Sequence, residues 1–342
     1  MIVEGLAPQS IALAVRLLRA GELVGLPTET VYGLAANADD AAAVAKVFQA
    51  KGRPADHPLI VHVLGHAQVA HFARDVPAVA DALMQAFWPG PLTVILPRRA
   101  GVAVAAAGGQ DSIGLRCPAH PVVRAVLKAC QEAGATDDGE PLWGLAAPSA
   151  NQFGRVSPTT AAHVQSEFGE PLLILDGGAC SVGIESTIVD CTRGAPVVLR
   201  PGAISRAQVE EVARAASQPS PRLQETPAAP RASGTLESHY APRAKVRLMN
   251  APSLQSALDL LGADLDAGNT VIATYSRAIL RSRSSKVIRR RMPDDAVATA
   301  QQLFAVLREF DAQGAQLIWV ETPPEGPEWE GVRDRLQRAA AA

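Results

Sequence analysis

The residues of this chain best suited to chemistry stand in short polar segments, most of them where an apolar run ends. In Pro27-Thr28-Glu29-Thr30-Val31-Tyr32-Gly33-Leu34, two hydroxyls, a carboxylate and a phenol follow directly on Leu23 to Leu26. Ligands of open α/β sheets bind outside the carboxyl ends of strands, which makes these residues candidates; a polar turn closed by Gly33 would use the same ones. Lys51-Gly52-Arg53-Pro54, then His57-Pro58, places two cations on a loop stiffened by prolines. Such a loop suits an oligophosphate, because little ordering entropy remains to be lost and arginine offers a planar fork. A solvated basic turn at a helix C-terminus is the competing reading.

Ser112 to Arg116 ends an apolar strand on an arginine, which fits either an anion at the sheet edge or a surface ion pair. His62 and His120 are isolated histidines, a type more often structural than catalytic. Ala147-Pro148-Ser149-Ala150-Asn151, with Gly154 and Ser157-Pro158-Thr159, reads as strand, small polar turn and helix start. Backbone N–H groups and hydroxyls can converge on a phosphate there. Gly183-Ile184-Glu185-Ser186-Thr187-Ile188-Val189-Asp190, then Arg200-Pro201-Gly202, forms a further segment, and Ser238-His239-Tyr240-Ala241-Pro242 the last.

The familiar nucleotide cradles are missing: the sequence has no GxxxxGK[ST], no GxGxxG after a strand, no HExxH and no GxSxG. Its four cysteines, Cys117, Cys130, Cys180 and Cys191, make no CxxC pair, so the expectation is buried reduced thiols in a cytoplasmic protein. The start, MIVEGLAPQS, lacks the pattern of a signal peptide, and no run of 18 apolar residues exists. A net charge of −2 argues against a large nucleic-acid footprint, so no stable nucleic-acid binding is expected.

Elements that could position these segments follow from periodicity. Helices are expected over 10–20 with Ser10 as cap, from Asp39 or Asp40 to 50, over 120–133, from Thr159 or Thr160 to 168, and over 205–216. Strands are expected over 23–26, 59–63, 92–96, 112–116, 145–147, 172–175, 186–190 and 197–199. Residues 217–234 are rich in Pro, Ser and Ala and read as an extended linker. Beyond it, strands at 245–249, 270–274, 286–288 and 316–320 alternate with helices, the pattern of a small open parallel sheet. The fold class is α/β.

Taken together, LPTETVYGLA (26–35), KGRPADHPLIVHV (51–63), FWPGPLTVIL (87–96), IGLRCPAHP (113–121), APSANQFGRVSPT (147–159), GIESTIVD (183–190) and VLRPGAI (198–204) resemble the YrdC-like family of threonylcarbamoyl-AMP synthases in its long, two-domain form. The resemblance covers 1–204 densely and the remainder more loosely. It implies a twisted α/β catalytic domain over 1–204 with a large concave cavity, a helix and linker acting as lid over 205–242, and a small Rossmann-like domain over 243–342. It also implies the reaction: L-threonine, bicarbonate and ATP give threonylcarbamoyl-AMP and pyrophosphate, which downstream transferase proteins use on tRNA.

Residue by residue, the resemblance places Thr30, His62, Arg116 and Ser186 around threonine. It places Lys51, Arg53, His57, Ser149, Asn151, Ser157, Arg200 and Tyr240 around ATP, with Lys51, Arg53 and Arg200 carrying the catalytic charge. The family often has Asn where this chain has His57. Magnesium is expected on the ATP phosphates without a dedicated carboxylate cage, Glu29 and Glu185 being outer groups at most. Three rival readings are a carbamoyl-phosphate enzyme, whose relatives carry cysteine-rich zinc modules that this chain lacks, an RNA-binding module, and a scaffold without catalysis.

Overall fold

A computed structural model describes residues 1–136, 140–216, 229–234 and 239–342. The chain forms two compact units, one of Met1–Phe153 with Ser157–Thr235, the other of Gly154–Val156 with Leu236–Ala342.

The first unit runs β1 (Ile2–Glu4), α1 (Pro8–Arg19), β2 (Val24–Leu26), β3 (Gly33–Asn37), α2 (Ala41–Lys51), β4 (Ile60–His62), α3 (Val69–Phe72), α4 (Ala78–Phe87), β5 (Leu92–Pro97), β6 (Ser112–Arg116), α5 (Pro121–Thr136), β7 (Leu145–Ala146), α6 (Ala161–Phe168), β8 (Leu173–Asp176), β9 (Thr187–Asp190), β10 (Val197–Arg200) and α7 (Arg206–Ala216). Its strands join one mixed sheet in the order β1-β8-β2-β3-β7-β4-β6-β5-β9-β10. Strands buried on both faces read as largely apolar runs, as β2 and β5 do, while β9 is buried throughout with Thr187 and Asp190 at its ends. One apolar cluster joins α1 and α5 to β2 through Ala14, Leu18, Leu26, Val123 and Leu127. A second joins α2 and α4 to the central strands through Val44, Val47, Leu83, Val61 and Val94.

Local chemistry sets the ends of these helices. The expected cap at Ser10 is replaced by a start at Pro8, whose fixed φ suits the first helical position, and Ser10 lies buried inside α1. Asp40 caps α2 by accepting from Ala42 N at 2.8 Å, and Thr160 caps α6 by accepting from His163 N at 3.3 Å. The strand β3 and the helix α4 were not expected, because Gly33 hid the first within a turn signal and an Ala-rich run blurred the second.

The second unit runs β11 (Lys245–Met249), α8 (Ala251–Ala267), β12 (Ile272–Ser276), β13 (Val287–Arg291), α9 (Ala296–Ala312), β14 (Leu317–Glu321) and α10 (Glu330–Ala340). Its four strands are all parallel, in the order β11-β14-β12-β13, as expected from the alternating pattern. Leu254, Leu258, Ile272, Val287 and Trp319 form its core on the α8 side. Tyr240 belongs to this unit: it is buried with a φ of 62°, its ring stacks on Phe304 at 5.4 Å, and the Arg335 guanidinium lies 5.2 Å from its centroid. Ser238 and residues 217–228 of the expected linker lie outside the described residues.

Candidate active site

Sheet register assembles the site. Pairing aligns His62 with Arg116, Arg116 with Thr93, Thr93 with Ile188, and Ile188 with Arg200. Residues directly opposite one another in a sheet share a face, so one row across β4, β6, β5, β9 and β10 presents an imidazole and two guanidiniums to the same side. One step along lie Ile60, Gly114 and Ile95, an apolar strip beside the charged row. Residues Arg231, Ala232 and Ser233 cover that strip and close a small cavity over it.

At one end of the row, Arg116 donates to Glu29 Oε1 at 2.6 Å, to Thr30 Oγ1 at 2.7 Å and to Gly90 O at 3.3 Å. Glu29 Oε2 accepts from Ala119 N at 3.0 Å. Arg116 is only 4% exposed and Glu29 7%, so this pair is buried rather than a surface contact. Burial by itself would raise the Glu29 carboxyl, but the charge and hydrogen bonds of Arg116 outweigh it and hold the group below its ordinary 4.5. His62, next to Arg116 in the register, is 3% exposed, and neither ring nitrogen has a hydrogen-bond partner. Burial, then the positive charge of Arg116, pushes its pKa well below 6.5, so the ring is neutral at physiological pH. Buried polar groups are nearly always paired, and an orphan facing a charged row suits a ligand.

At the other end, Arg200 donates from Nε to Ser186 O at 3.0 Å, from one terminal nitrogen to Ser186 Oγ at 3.1 Å and from the other to Ser233 O at 2.9 Å. Ser186 Oγ also meets Thr93 Oγ1 at 2.7 Å, which ties this end to the centre of the row. A Cβ at Gly202 would come 2.5 Å from Thr187 N, so only glycine lets the chain after Arg200 close this tightly on β9.

Lys51 and Arg53 are not on a solvated turn. Lys51 is the last residue of α2, and Gly52 ends that helix in the left-handed region at φ 60°. The Lys51 ammonium, 2% exposed, donates to Ser149 O at 2.5 Å and to Asn151 O. Burial, then repulsion from Arg53, drives its pKa well below 10.5. Arg53 donates to Pro58 O at 2.8 Å and to Ser233 Oγ at 3.3 Å. Ser233 therefore bridges Arg53 and Arg200, taking guanidinium donors with its own hydroxyl and carbonyl. His57 lies beside this group with its ring edge-on to Phe153 at 5.4 Å, and burial followed by the Arg53 charge lowers its pKa. Ser157 donates to Glu185 Oε1.

The structure thus brings Thr30, His62, Arg116, Ser186, Lys51, Arg53, His57, Ser149, Asn151, Ser157 and Arg200 together in the first unit, linked through contacts and register. Such a concentration of buried cations can hold an oligophosphate and stabilise charge on a leaving group. Among the described residues no group of three or more His, Cys, Asp or Glu is suited to a metal, and no helix is long and apolar enough to cross a membrane.

Known proteins with the same construction were found along the whole length. The family model Sua5_yciO_yrdC, described as "Telomere recombination", matches residues 16–202, and the model Sua5_C, "Threonylcarbamoyl-AMP synthase, C-terminal domain", matches 204–341. The chain belongs to the threonylcarbamoyl-AMP synthase family. The Pyrococcus abyssi threonylcarbamoyl-AMP synthase is 34% identical over 98% of this chain and 96% of its own length. That of Bacillus subtilis is 36% identical, over 96% of this chain and 92% of its own. A crystal structure of P. abyssi Sua5 complexed with L-threonine superposes with a TM-score of 0.84 at 32% identity, covering 99% of this chain and 97% of that one. Membership of this two-domain synthase family makes the chain an adenylyl-transferring enzyme.

Two residues of the site escaped sequence reasoning. Thr93 lies in the middle of the apolar strand LTVIL, and its hydroxyl, at 0% exposure, was the only signal that something polar faces it. Ser233 lies in a segment without periodicity, where no local feature marks one serine from the next.

Proposed function

We propose that this chain condenses L-threonine, bicarbonate and ATP into threonylcarbamoyl-AMP and pyrophosphate, and that the charged row on the first sheet is where it does so. The observation that carries the reading is that row, with neutral His62 and Arg116 at one end and Arg200 at the other, joined by Thr93 and Ser186. The two ends suit the two ends of the reaction.

Threonine needs an acceptor for its ammonium and a cation for its carboxylate. The neutral ring of His62 accepts without repelling the ammonium, and Arg116 supplies the cation, since one guanidinium has five N–H donors and Glu29 and Thr30 leave some of them unused. Thr30 and Ser186 supply hydroxyls for the threonine side chain. The amine, once deprotonated, adds to the carbon of carbon dioxide released from bicarbonate, giving a carbamate. A carbamate oxygen then attacks the α-phosphorus of ATP in line, the bond to the β-phosphate bridging oxygen breaks, and pyrophosphate leaves with that electron pair. Lys51, Arg53 and Arg200 take up the charge that grows on the leaving group, with Ser149, Asn151, Ser157 and His57 around the nucleotide. These positions exclude water from a labile carbamate only when the site is covered.

Magnesium would travel with ATP. Glu29 is engaged by Arg116 and Ala119, and Glu185 by Ser157, so the ion would rely on phosphate oxygens and water. The product would pass to tRNA-modifying transferases by transient contact. The test is pyrophosphate release from radiolabelled ATP with L-threonine and bicarbonate each omitted in turn. Release that requires both supports the assignment. Release driven by carbamoyl phosphate instead, or RNA retention without any turnover, overturns it.

A further inference from the structure

The second unit carries a concentration of charge that its fold does not need. Residues 277–291 read RAILRSRSSKVIRRR, with seven cations and no carboxylate, in a chain whose net charge is −2. They span the connection from β12 to β13 and all of β13, the edge strand of the parallel sheet. Adjacent parallel strands are ordinarily joined by a crossover helix that covers one face of the pair. The connection over 277–286 contains no helix.

Register decides which side chains stand beside this connection, on the face that carries Ile272 and Val287 toward α8. Thr274 pairs with Arg289 and Ser276 with Arg291, so these four share a face, and with Ile279 and Leu280 of the connection they line a cavity of about 260 Å³. Arg290 pairs with Glu309. Arg289 donates to Leu280 O at 3.3 Å and has no carboxylate partner among the described residues. Arg291 meets Asp294 at 3.2 Å in a solvent-exposed pair, the kind worth little. Ile279 is 82% exposed at the mouth of the same cavity.

The neighbouring strand end shows how this sheet handles an anion. Glu321, at the carboxyl end of β14, accepts from Ser276 Oγ at 2.6 Å, Arg277 N at 2.8 Å and Ala278 N at 3.2 Å, with the Arg277 guanidinium on its other oxygen. The chain's own carboxylate thus fills the central position where ligands of open parallel sheets bind, and the donors left over are those of Arg289 and Arg291 at the edge.

We propose that this cavity binds a phosphate-bearing small molecule, its phosphate between Arg289 and Arg291 and its apolar part against Ile279 and Leu280. Two guanidiniums on one face suit a phosphate, whose oxygens accept paired N–H donors. The volume is below the ~300–1,000 Å³ usual for ligand pockets, so it takes a single phosphorylated group and not a dinucleotide. The site is separate from the catalytic row, which lies in the first unit, and does not depend on the activity proposed there.

The experiment is equilibrium dialysis of the full chain against radiolabelled AMP and, separately, inorganic phosphate. It uses an Arg200→Ala background, to weaken phosphate binding in the first unit, with and without Arg289→Ala/Arg291→Ala. The expected result is one remaining site that weakens at least tenfold in the Arg289→Ala/Arg291→Ala protein. The same double substitution in the otherwise unchanged chain should leave threonine-dependent pyrophosphate release and the melting of the second unit unchanged, and the latter shows that this unit folds. Equal binding with and without the two arginines overturns the proposal. So does binding confined to a single-stranded RNA oligonucleotide that is lost with the arginines while AMP and phosphate are ignored; the segment would then be a nucleic-acid surface.

Discussion

Glu29→Gln removes the carboxylate that neutralises Arg116 while keeping the shape of the side chain. In the folded chain the two groups meet at 2.6 Å, and Glu29 takes a second hydrogen bond from Ala119 N at 3.0 Å. Both are shielded from solvent, so the guanidinium would be left charged and uncompensated. Removing one partner of a buried pair costs roughly 3–5 kcal/mol, and an amide oxygen that can still accept one bond puts this case near 3 kcal/mol. For a unit of this size each kcal/mol moves Tm by about 2–4 °C, so calorimetry near neutral pH should find the first unit melting roughly 6–12 °C lower. On the proposed assignment L-threonine would supply a carboxylate to the same guanidinium, so saturating threonine should raise the variant's Tm by more than the parent's.

The pH dependence carries an independent check. Glu29 has a lower pKa folded than unfolded, so its contribution is fully present above 4.5 and is lost as pH falls through the folded value. The variant has nothing to titrate there, so the stability gap between the two proteins must close in that window. A Tm within about 2 °C of the parent at neutral pH, or a gap that stays constant under acid, would refute the charge-compensation reasoning.

The other expectations concern the remaining parts of the site. Arg53→Ala and Arg200→Ala should each lower adenylate formation by at least ~10²-fold, with circular dichroism unchanged; wild-type turnover in either removes the phosphate assignment. His62→Leu removes an unpartnered polar group, so its Tm should stay within about 1 kcal/mol equivalent of the parent, while the threonine concentration for half-saturation rises more than tenfold. A large loss of stability with normal threonine dependence would make His62 structural. Ser233→Ala deletes the hydroxyl that holds Arg53, so KM for ATP should fall about two- to fivefold, within the usual worth of one hydrogen bond; a rise would mean that Ser233 helps to hold the nucleotide. Tyr240→Ala should lower the stability of the second unit by about 3–5 kcal/mol, through the lost packing on Phe304. Denaturation of the second unit at the parent's midpoint would refute that packing role.

Much of the architecture was legible because short-range chemistry wrote it. Asp40 and Thr160 announce their helices, the apolar strand runs announce a sheet buried on both faces, and the second unit's alternation announces a parallel sheet. The seven polar blocks pointed to a family, and the comparisons bear that family out along both units. Side-chain environment was not legible. Lys51-Gly52-Arg53 looks the same in sequence whether it lies in water or in an interior, and Arg116 reads equally as a surface ion pair.

The sequence by itself determined which residue types were present, which elements formed around them and, through its motifs, the family. Tertiary structure alone decided that His62, Arg116, Thr93 and Arg200 stand in one row, since they come from four strands and meet only through pairing register. It likewise decided that Ser233 reaches Arg53 and Arg200, residues 180 and 33 positions away. Register and long-range packing are fixed by the cooperative burial of the whole sheet, and a one-residue slip would turn each of these side chains to the opposite face.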